Sequence, residues 1–225
     1  MVSHDGIKMN TDAYIEILHR IAELSTNQLS VVQAILEALD QVNADSPATA
    51  PWMLAYTPTP KAATALLHAL LQATEVLPRV PLSRIELCTG ARHNLRLLAL
   101  SDSPAYAAYP PREAASNART FIASNWRGLN LIEGLWLTLL HPAILDERAL
   151  DLVGSTYSIE CTPTIYQWDG KRYLSAIAPD SRDEMCRPVF IRRSLGIAVK
   201  ALDNPRGLDH RLRGFIEKGT FRALF

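Results

Sequence analysis

The dipeptide Asp169-Gly170 is the sequence feature that most restricts the fold of this chain. It separates two runs expected to form strands, TPTIYQW at 162–168 and KRYLSA at 171–176, of which the first is rich in β-branched and aromatic residues. Asp-Gly suits the two positive-φ positions of a type I′ turn, which joins two antiparallel strands. The chain is therefore expected to contain a β-hairpin, and an all-helical fold is excluded.

Two apolar stripes with helical spacing lie near the start of the chain. One runs from Tyr14 to Leu24 and the other from Val32 to Val42, and each is typical of an amphipathic helix. Between them, STNQ matches a capping box in which Ser25 and Gln28 exchange hydrogen bonds at a helix start. The stripes therefore predict a helical hairpin over 1–45.

Strand and helix signals mix in the middle of the chain. We expect helices at 61–74 and 112–124, and strands at 52–56, 84–89, 95–101, 105–109, 149–155 and 187–194. Strict βαβ alternation and a glycine-rich phosphate loop are both missing from the sequence, which argues against a doubly wound fold. The prediction is an α+β fold in which the helical hairpin packs with a mixed, mainly antiparallel sheet and a C-terminal β-hairpin region.

The length fits one domain. The prediction is a single α+β domain over 1–225, made of the helical hairpin at 1–45, a mixed α/β body at 50–195 and a C-terminal arm at 196–225. Apolar residues in the arm recur at helical spacing, so it is expected to pack onto the body or onto a partner.

Charge and cysteine content limit the partners. Lys plus Arg and Asp plus Glu both number 23, so the net charge is zero and no global field attracts nucleic acid or an anionic membrane. The three cysteines fit no metal or redox spacing, and no apolar run approaches the roughly 20 residues of a membrane span. These observations predict a cytoplasmic protein with no nucleic-acid partner, no membrane partner and no metal.

The segment WRGLNLIEGLWLTLLHP at 126–142 contains the strongest catalytic candidates, Arg127, Glu133 and His141. Asn130 precedes Glu133 by three residues, so the carboxylate fits a capping box that contributes about 1 kcal/mol. The sequence favours this structural interpretation. In the other interpretation, apolar neighbours desolvate the carboxylate and favour its protonated form, which suits a general acid/base.

His141 ends this predicted helix, about 12 Å along the axis from Glu133 at 1.5 Å per residue. The two side chains could therefore line opposite ends of one cleft without touching, or His141 could simply cap the helix. Arg127 and Arg119 would bind a substrate carboxylate through a forked guanidinium, or each would pair with a surface acid.

A predicted turn and several aromatic residues are the remaining candidates for substrate binding. Arg92 and His93 lie in GARHN, which would present an anion site or form an ordinary exposed turn. The aromatics would line a pocket for a flat ligand or belong to the core; the candidates are Trp126, Trp136, Tyr157 and Trp168. No cofactor motif occurs, so no organic cofactor is predicted.

About residues 105–175 resemble an uncharacterised, mostly actinobacterial family known only as a domain of unknown function. The segments that carry the resemblance are PPREAASNARTFIASNWRGLNLIEGLWLTLLHPAIL, LDLVGSTY and TPTIYQWDGKRYLS. Asn130 replaces the family's usual Thr, and the family's Trp- and Cys-rich ending is absent. The resemblance implies no activity. The matching positions are Arg127, Leu129, Glu133, Gly134, Pro142, Leu152, Gly154, Ser155 and Pro163.

In site composition the chain is also similar to small bacterial enzymes that build β-carbolines by Pictet–Spengler condensation. This likeness implies a cofactor-independent biosynthetic enzyme that condenses a tryptophan-like aromatic amine with a carbonyl compound. Glu133 would move protons, Arg127 or Arg119 would hold a substrate carboxylate, and His141 or His93 would assist.

Two other functions stay open from the sequence. The first is a non-catalytic interaction or small-ligand-binding protein, in which 196–225 serves as an interaction arm or mediates a homodimer. The second is a regulator that binds an anion or nucleotide through residues 92–94.

Overall fold

The computed structural model describes residues 10–45, 52–87, 89–90, 94–101, 127–157, 161–177 and 186–220. The helix predicted at 112–124 and the strand predicted at 105–109 fall outside these ranges. So do four of the predicted site residues, Arg92, His93, Arg119 and Trp126. Within the described ranges, helices combine with one antiparallel and one mixed β-sheet, so the predicted α+β class is confirmed.

Six α-helices are described. The first two form the predicted helical hairpin, and its capping box is confirmed by reciprocal bonds between Ser25 and Gln28 at 3.0 and 3.3 Å. Short 3₁₀ turns at Pro60–Ala62, Leu82–Arg84 and Val199–Asp203 accompany the helices. The helices are α1 (Thr11–Ile21), α2 (Thr26–Asp45), α3 (Ala63–Thr74), α4 (Leu131–Leu140), α5 (Ile144–Glu147) and α6 (Pro205–Thr220).

The first sheet is antiparallel throughout. Its central pairing runs from Leu95 opposite Ile197 to Ser101 opposite Phe190, with a register shift between Ala99 and Leu100. Its strands, in spatial order, are β1 (Trp52–Tyr56), β3 (Leu95–Ser101), β9 (Phe190–Ile197) and β4 (Arg127–Gly128).

The second sheet is mixed. The β6–β7 hairpin turns at Asp169 and Gly170, whose φ values of 51° and 70° confirm the predicted positive-φ turn. The pairs β2–β7 and β5–β8 are parallel, and the other pairs are antiparallel. In spatial order the strands are β2 (Val76–Pro78), β7 (Lys171–Ile177), β6 (Thr162–Trp168), β5 (Ala149–Asp151) and β8 (Cys186–Pro188).

Helix α4 lies at the centre of the core, because all ten of its residues are buried. Its Trp136 ring lies 4.4 Å from the Tyr14 ring of α1, measured between centroids. The Trp136 indole N–H donates to the Tyr56 carbonyl of β1 at 3.0 Å. This one residue therefore connects α4 to the helical hairpin and to the first sheet.

One predicted strand and one predicted boundary differ from the structure. The segment at 84–89 is not a strand in its described residues, because Ile85 makes only an isolated bridge to Tyr157. Its next amide, that of Glu86, bonds the Thr156 carbonyl of a turn. The C-terminal arm begins later than 196, because Ile197 is a buried residue of β9 and the terminal helix starts at Pro205.

Candidate functional site

The first turn of α4 is closed by the predicted capping box. Asn130 Oδ1 accepts a hydrogen bond from the Glu133 amide at 3.0 Å, and the Asn130 amide donates to Glu133 Oε2 at 3.2 Å. Asn130 has φ −90° and ψ 173°, the extended conformation expected of an N-cap residue. The cap inferred from the sequence is therefore confirmed in both of its hydrogen bonds.

Arg127 forms a two-bond ion pair with the same carboxylate. Its Nη1 donates to Glu133 Oε2 at 2.7 Å, and its Nη2 donates to Oε1 at 2.5 Å. The Glu133 side chain is 2% exposed and the Arg127 side chain is 35% exposed, so only the cation reaches solvent to any extent. A forked guanidinium–carboxylate pair adds geometric specificity to charge attraction.

A turn more than twenty residues farther along the chain completes this helix start. Ser155 Oγ accepts a hydrogen bond from the Leu131 amide at 2.9 Å and donates to the Glu86 carbonyl at 3.3 Å. The Gly154 amide donates to the Leu129 carbonyl at 2.8 Å. Amides that the first turn of a helix leaves without intrahelical partners are thus bonded by Asn130 and Ser155.

Most residues that carry the family resemblance meet at this junction between α4 and the turn that follows β5. A Cβ on Gly154 would lie 2.5 Å from the Gly128 carbonyl oxygen, and one on Gly134 would lie 2.3 Å from Leu152 Cδ2. Close backbone packing therefore requires glycine at position 154, whereas the contact at Gly134 is with the Leu152 side chain. The motif is accounted for by packing, capping and an ion pair, and these contacts assign no activity. The residues that meet are Arg127, Leu129, Glu133, Gly134, Leu152, Gly154 and Ser155.

Both carboxylate oxygens of Glu133 are engaged. The guanidinium of Arg127 stays charged throughout the physiological pH range and bonds both oxygens directly. A general acid/base role for Glu133 therefore requires the Arg127 guanidinium to move away from the carboxylate.

His141 lies at the other end of α4, as its C-cap residue. Its Nε2 is buried and has no hydrogen-bond partner among the described residues. Burial lowers the pKa of His141 below its ordinary value, while the Trp52 backbone and the Asp40 carboxylate act in the opposite direction. His141 therefore faces β1 and α2, and the structure does not bring it together with Glu133.

The three described aromatic candidates lie in three different environments. Trp136 is fully buried against Tyr14, whose hydroxyl has no partner in the described part of the chain and whose pKa burial raises well above the usual value. Tyr157 is half-buried and bridges the backbones of Ile85 and Cys161. Trp168 is 70% exposed at the β6–β7 turn. These three rings do not line one hollow beside Glu133, and their proposed role in substrate binding stays a prediction.

A cavity of about 620 Å³ between α2 and α6 was missed at the level of sequence. Its α2 wall includes the exposed residues Ala34 and Ala38, flanked by the half-buried Val31 and Val42. Two alanines one helical turn apart, within a stripe of larger aliphatic residues, leave a recess in the helix surface. That spacing was the sequence signal available for this site.

The mouth of the cavity carries charge. Asp209 and Arg213 of α6 line it and form an ion pair at 3.0 Å, with both side chains mostly in solvent. The buried Leu208 and the half-buried Leu212 face the cavity from the same helix. The cavity therefore combines an aliphatic interior with a polar rim.

No group of three or more His, Cys, Asp or Glu side chains within the described ranges could hold a metal ion. No helix in the described part of the chain is both long enough and apolar enough to cross a membrane. No protein-family model, curated protein or solved structure matches the chain.

Proposed function

We propose that the chain is a binding protein for a small, largely apolar molecule held between α2 and α6. The observation that supports this function is the cavity of about 620 Å³, whose walls are mainly aliphatic. Small-molecule sites in proteins are typically concave, mostly apolar and roughly 300–1,000 Å³ in volume.

The cavity is held open by contacts at both ends of α2. Near its start, Gln28 Nε2 donates to Asp203 Oδ1, just before α6, at 3.1 Å. Near its end, Asn43 exchanges two hydrogen bonds with the Trp52 backbone, and the Trp52 ring meets Phe215 of α6 edge-on at 5.5 Å. Because the two helices are joined outside the cavity, a ligand would not have to order them on binding, and preorganisation of this kind favours affinity.

The lining indicates the chemistry of the ligand. Aliphatic side chains favour an alkyl or ring body, since each buried methylene contributes about 0.8 kcal/mol. Asp209 and Arg213 at the mouth supply an acceptor and a donor for a polar end group. An amphiphile with an alkyl or ring body and one polar end group therefore fits the cavity best.

Filling the cavity tests the proposal. Ala38→Trp places an indole in the recess, and we expect it to weaken the binding of dodecanol and dodecanoate at least tenfold in isothermal titration calorimetry. The matched control is Ala65→Trp, on an exposed position of α3 outside the cavity, which leaves affinity unchanged. Binding to the unmodified protein carries a negative heat-capacity change, because apolar surface is buried.

Two results contradict this function. One is an Ala38→Trp variant that binds both probes as tightly as the unmodified protein, because the ligand is then held elsewhere. The other is the absence of heat with millimolar dodecanoate at two temperatures in the unmodified protein, since a heat-capacity change moves the binding enthalpy away from zero at one of them.

The second candidate is the condensing enzyme expected from site composition. It is favoured by one observation: a carboxylate that is 2% exposed lies behind a cation that is 35% exposed. A substrate carboxylate could draw the Arg127 guanidinium to itself and release Glu133 into an apolar environment. The aromatic carbon would attack the protonated imine, whose C=N π electrons move to nitrogen, and Glu133 would then accept the proton that the attacking ring carbon loses.

Glu133→Gln tests the second candidate. Glutamine keeps an oxygen acceptor for the Asn130 amide, so the helix start retains its bonds. The assay is product formation from tryptophan and an aldehyde, where loss of a general base reduces turnover by about 10²–10⁴-fold. The control variant is Glu147→Gln, the same substitution at an exposed position of α5, which leaves turnover intact. Unchanged turnover in Glu133→Gln excludes the role.

A further inference from the structure

The second sheet has one face that exposes large apolar side chains. Leu77 of β2 is opposite Tyr173 of β7, which is opposite Tyr166 of β6. Trp168 follows Tyr166 by two residues, so all four side chains share one face of the sheet. Leu77 is 49% exposed and Trp168 is 70% exposed, the two large hydrophobics most open to solvent in the described residues. We call these four residues, together with Arg79 and Lys171, the aromatic face.

Arg79 is ordered on this face by its aromatic neighbours. Its guanidinium carbon lies 3.7 Å from the Tyr173 ring centroid, and its Nη1 donates to the Tyr166 hydroxyl at 3.1 Å. The two tyrosine rings are 5.6 Å apart. A guanidinium has five N–H donors, so Arg79 can hold this position and still donate to a partner.

Two exposed cations lie on this face, whereas the carboxylate of Asp151 in β5, which shares the face through its pairing with Thr164, is 2% exposed and accepts a bond from the Thr164 hydroxyl at 3.0 Å. Lys171 pairs with Trp168 across the hairpin and is exposed, as is Arg79. The acidic residues nearest along the chain, Glu75 and Asp169, lie in the turns beside the strands. A docked segment would therefore meet two cations over the sheet itself.

We propose that the aromatic face docks a segment of a partner protein that carries both carboxylates and apolar side chains. Trp, Tyr and Arg are the residue types that contribute most binding energy at protein interfaces. The exposed apolar surface of Leu77 and Trp168 is complementary to apolar residues of a partner. Arg79 and Lys171 are complementary in charge to carboxylates. This surface lies on the second sheet and is independent of the cavity between α2 and α6.

Single-stranded nucleic acid fits this face less well than an acidic peptide does. Bases bind by stacking on successive open rings. Here Arg79 covers one face of Tyr173 and occupies the Tyr166 hydroxyl. The chain also carries equal numbers of positive and negative residues, so it has no overall attraction for phosphate.

The experiment is a selection from random 12-residue displayed peptides on the full-length protein, with counter-selection against Trp168→Ala. The selected peptides are expected to be enriched in Asp and Glu together with Leu, Ile or Phe. A labelled synthetic peptide of the enriched sequence is then measured by fluorescence anisotropy. We expect Trp168→Ala and Arg79→Ala each to weaken its binding at least tenfold, while Lys61→Ala, on an exposed site away from this sheet, leaves it unchanged.

Three outcomes overturn the proposal. The first is a selection that yields no peptide whose binding depends on Trp168. The second is enrichment without an excess of acidic residues, which removes the role of the cations. The third is a 12-nucleotide oligo-dT that binds more tightly than any selected peptide, which assigns the face to single-stranded nucleic acid.

Discussion

Arg127 and Glu133 make an ion pair whose loss should destabilise the fold, because its carboxylate is buried. Arg127→Ala leaves a carboxylate that is 2% exposed without its cation. We expect the free energy of unfolding in urea to fall by about 2 kcal/mol, less than for a fully buried pair because Arg127 is partly exposed. The double variant Arg127→Ala/Glu133→Gln should recover part of this loss, because the buried charge is gone.

The ion pair between Asp209 and Arg213 is the matched control. Both of its side chains are mostly exposed, so Arg213→Ala should change the free energy of unfolding by less than about 0.5 kcal/mol. Equal losses in Arg127→Ala and Arg213→Ala would show that burial of Glu133 contributes nothing to the strength of its pair.

His141 should make stability depend on pH. Burial lowers its folded pKa below the ordinary 6.5, so the unfolded chain binds a proton over a pH range in which the folded chain does not. Stability from this group is therefore fully present above about pH 6.5 and is lost as pH falls toward the folded pKa. In His141→Gln the urea midpoint should vary less with pH across this range. If the midpoint changes with pH equally in the variant and the parent, the assignment to His141 is wrong.

At the scale of elements, the sequence predicted helix caps and a turn, which depend on neighbouring residues, but not the pairing of strands that are distant along the chain. The capping boxes at Ser25 and Asn130 and the turn at Asp169 each depend on residues within four positions, and all three are confirmed. Strand β2 is three residues long, ends in Pro78 and is held by parallel pairing with a strand about 95 positions away. No local sequence pattern predicts such a strand.

In the candidate site, too, local contacts could be predicted from the sequence and non-local contacts could not. The bond between Glu133 and the Asn130 amide could be inferred from spacing, and the closure of the helix start by Ser155 could not, because that turn is 24 residues distant. The cavity between α2 and α6 was missed for the same reason. The alanine recess is visible in the sequence, but the helix that faces it is set by tertiary packing.

The close approach of Gly128 and Gly154 determines how β4 and α4 meet the turn after β5. In Gly154→Ala the new methyl would lie 2.5 Å from the Gly128 carbonyl oxygen and 2.8 Å from Leu129 backbone atoms. Backbone must shift to relieve these contacts, and we expect a loss of about 1–3 kcal/mol in the free energy of unfolding. Gly214→Ala is the control, in an open position within α6, and should raise stability by about 0.5–1 kcal/mol. A Gly154→Ala variant as stable as the parent would mean that the turn relaxes freely.

At the scale of the whole molecule, the two sheets share one core and one junction. A single hydrophobic cluster contains Leu97 and Ile197 of the first sheet together with Ile165 and Leu174 of the second. The Gly154–Leu129 hydrogen bond joins the turn after β5 to the segment between β4 and α4. Separating the sheets would expose this cluster to water, which is costly because buried apolar area contributes about 25 cal/mol per Å².

The single domain predicted over 1–225 is therefore expected to unfold as one cooperative unit. Native-state hydrogen exchange tests this directly, because amides in β3 and in β6 should exchange with the same limiting free energy and the same denaturant dependence. Gly154→Ala should lower the limiting free energy of exchange by the same amount in β3 and in β6, since it acts on the junction between the two sheets. If the β6–β7 amides exchange through a lower-energy opening while β3 stays protected, the second sheet is a separate folding unit. Its aromatic face could then be studied apart from the first sheet.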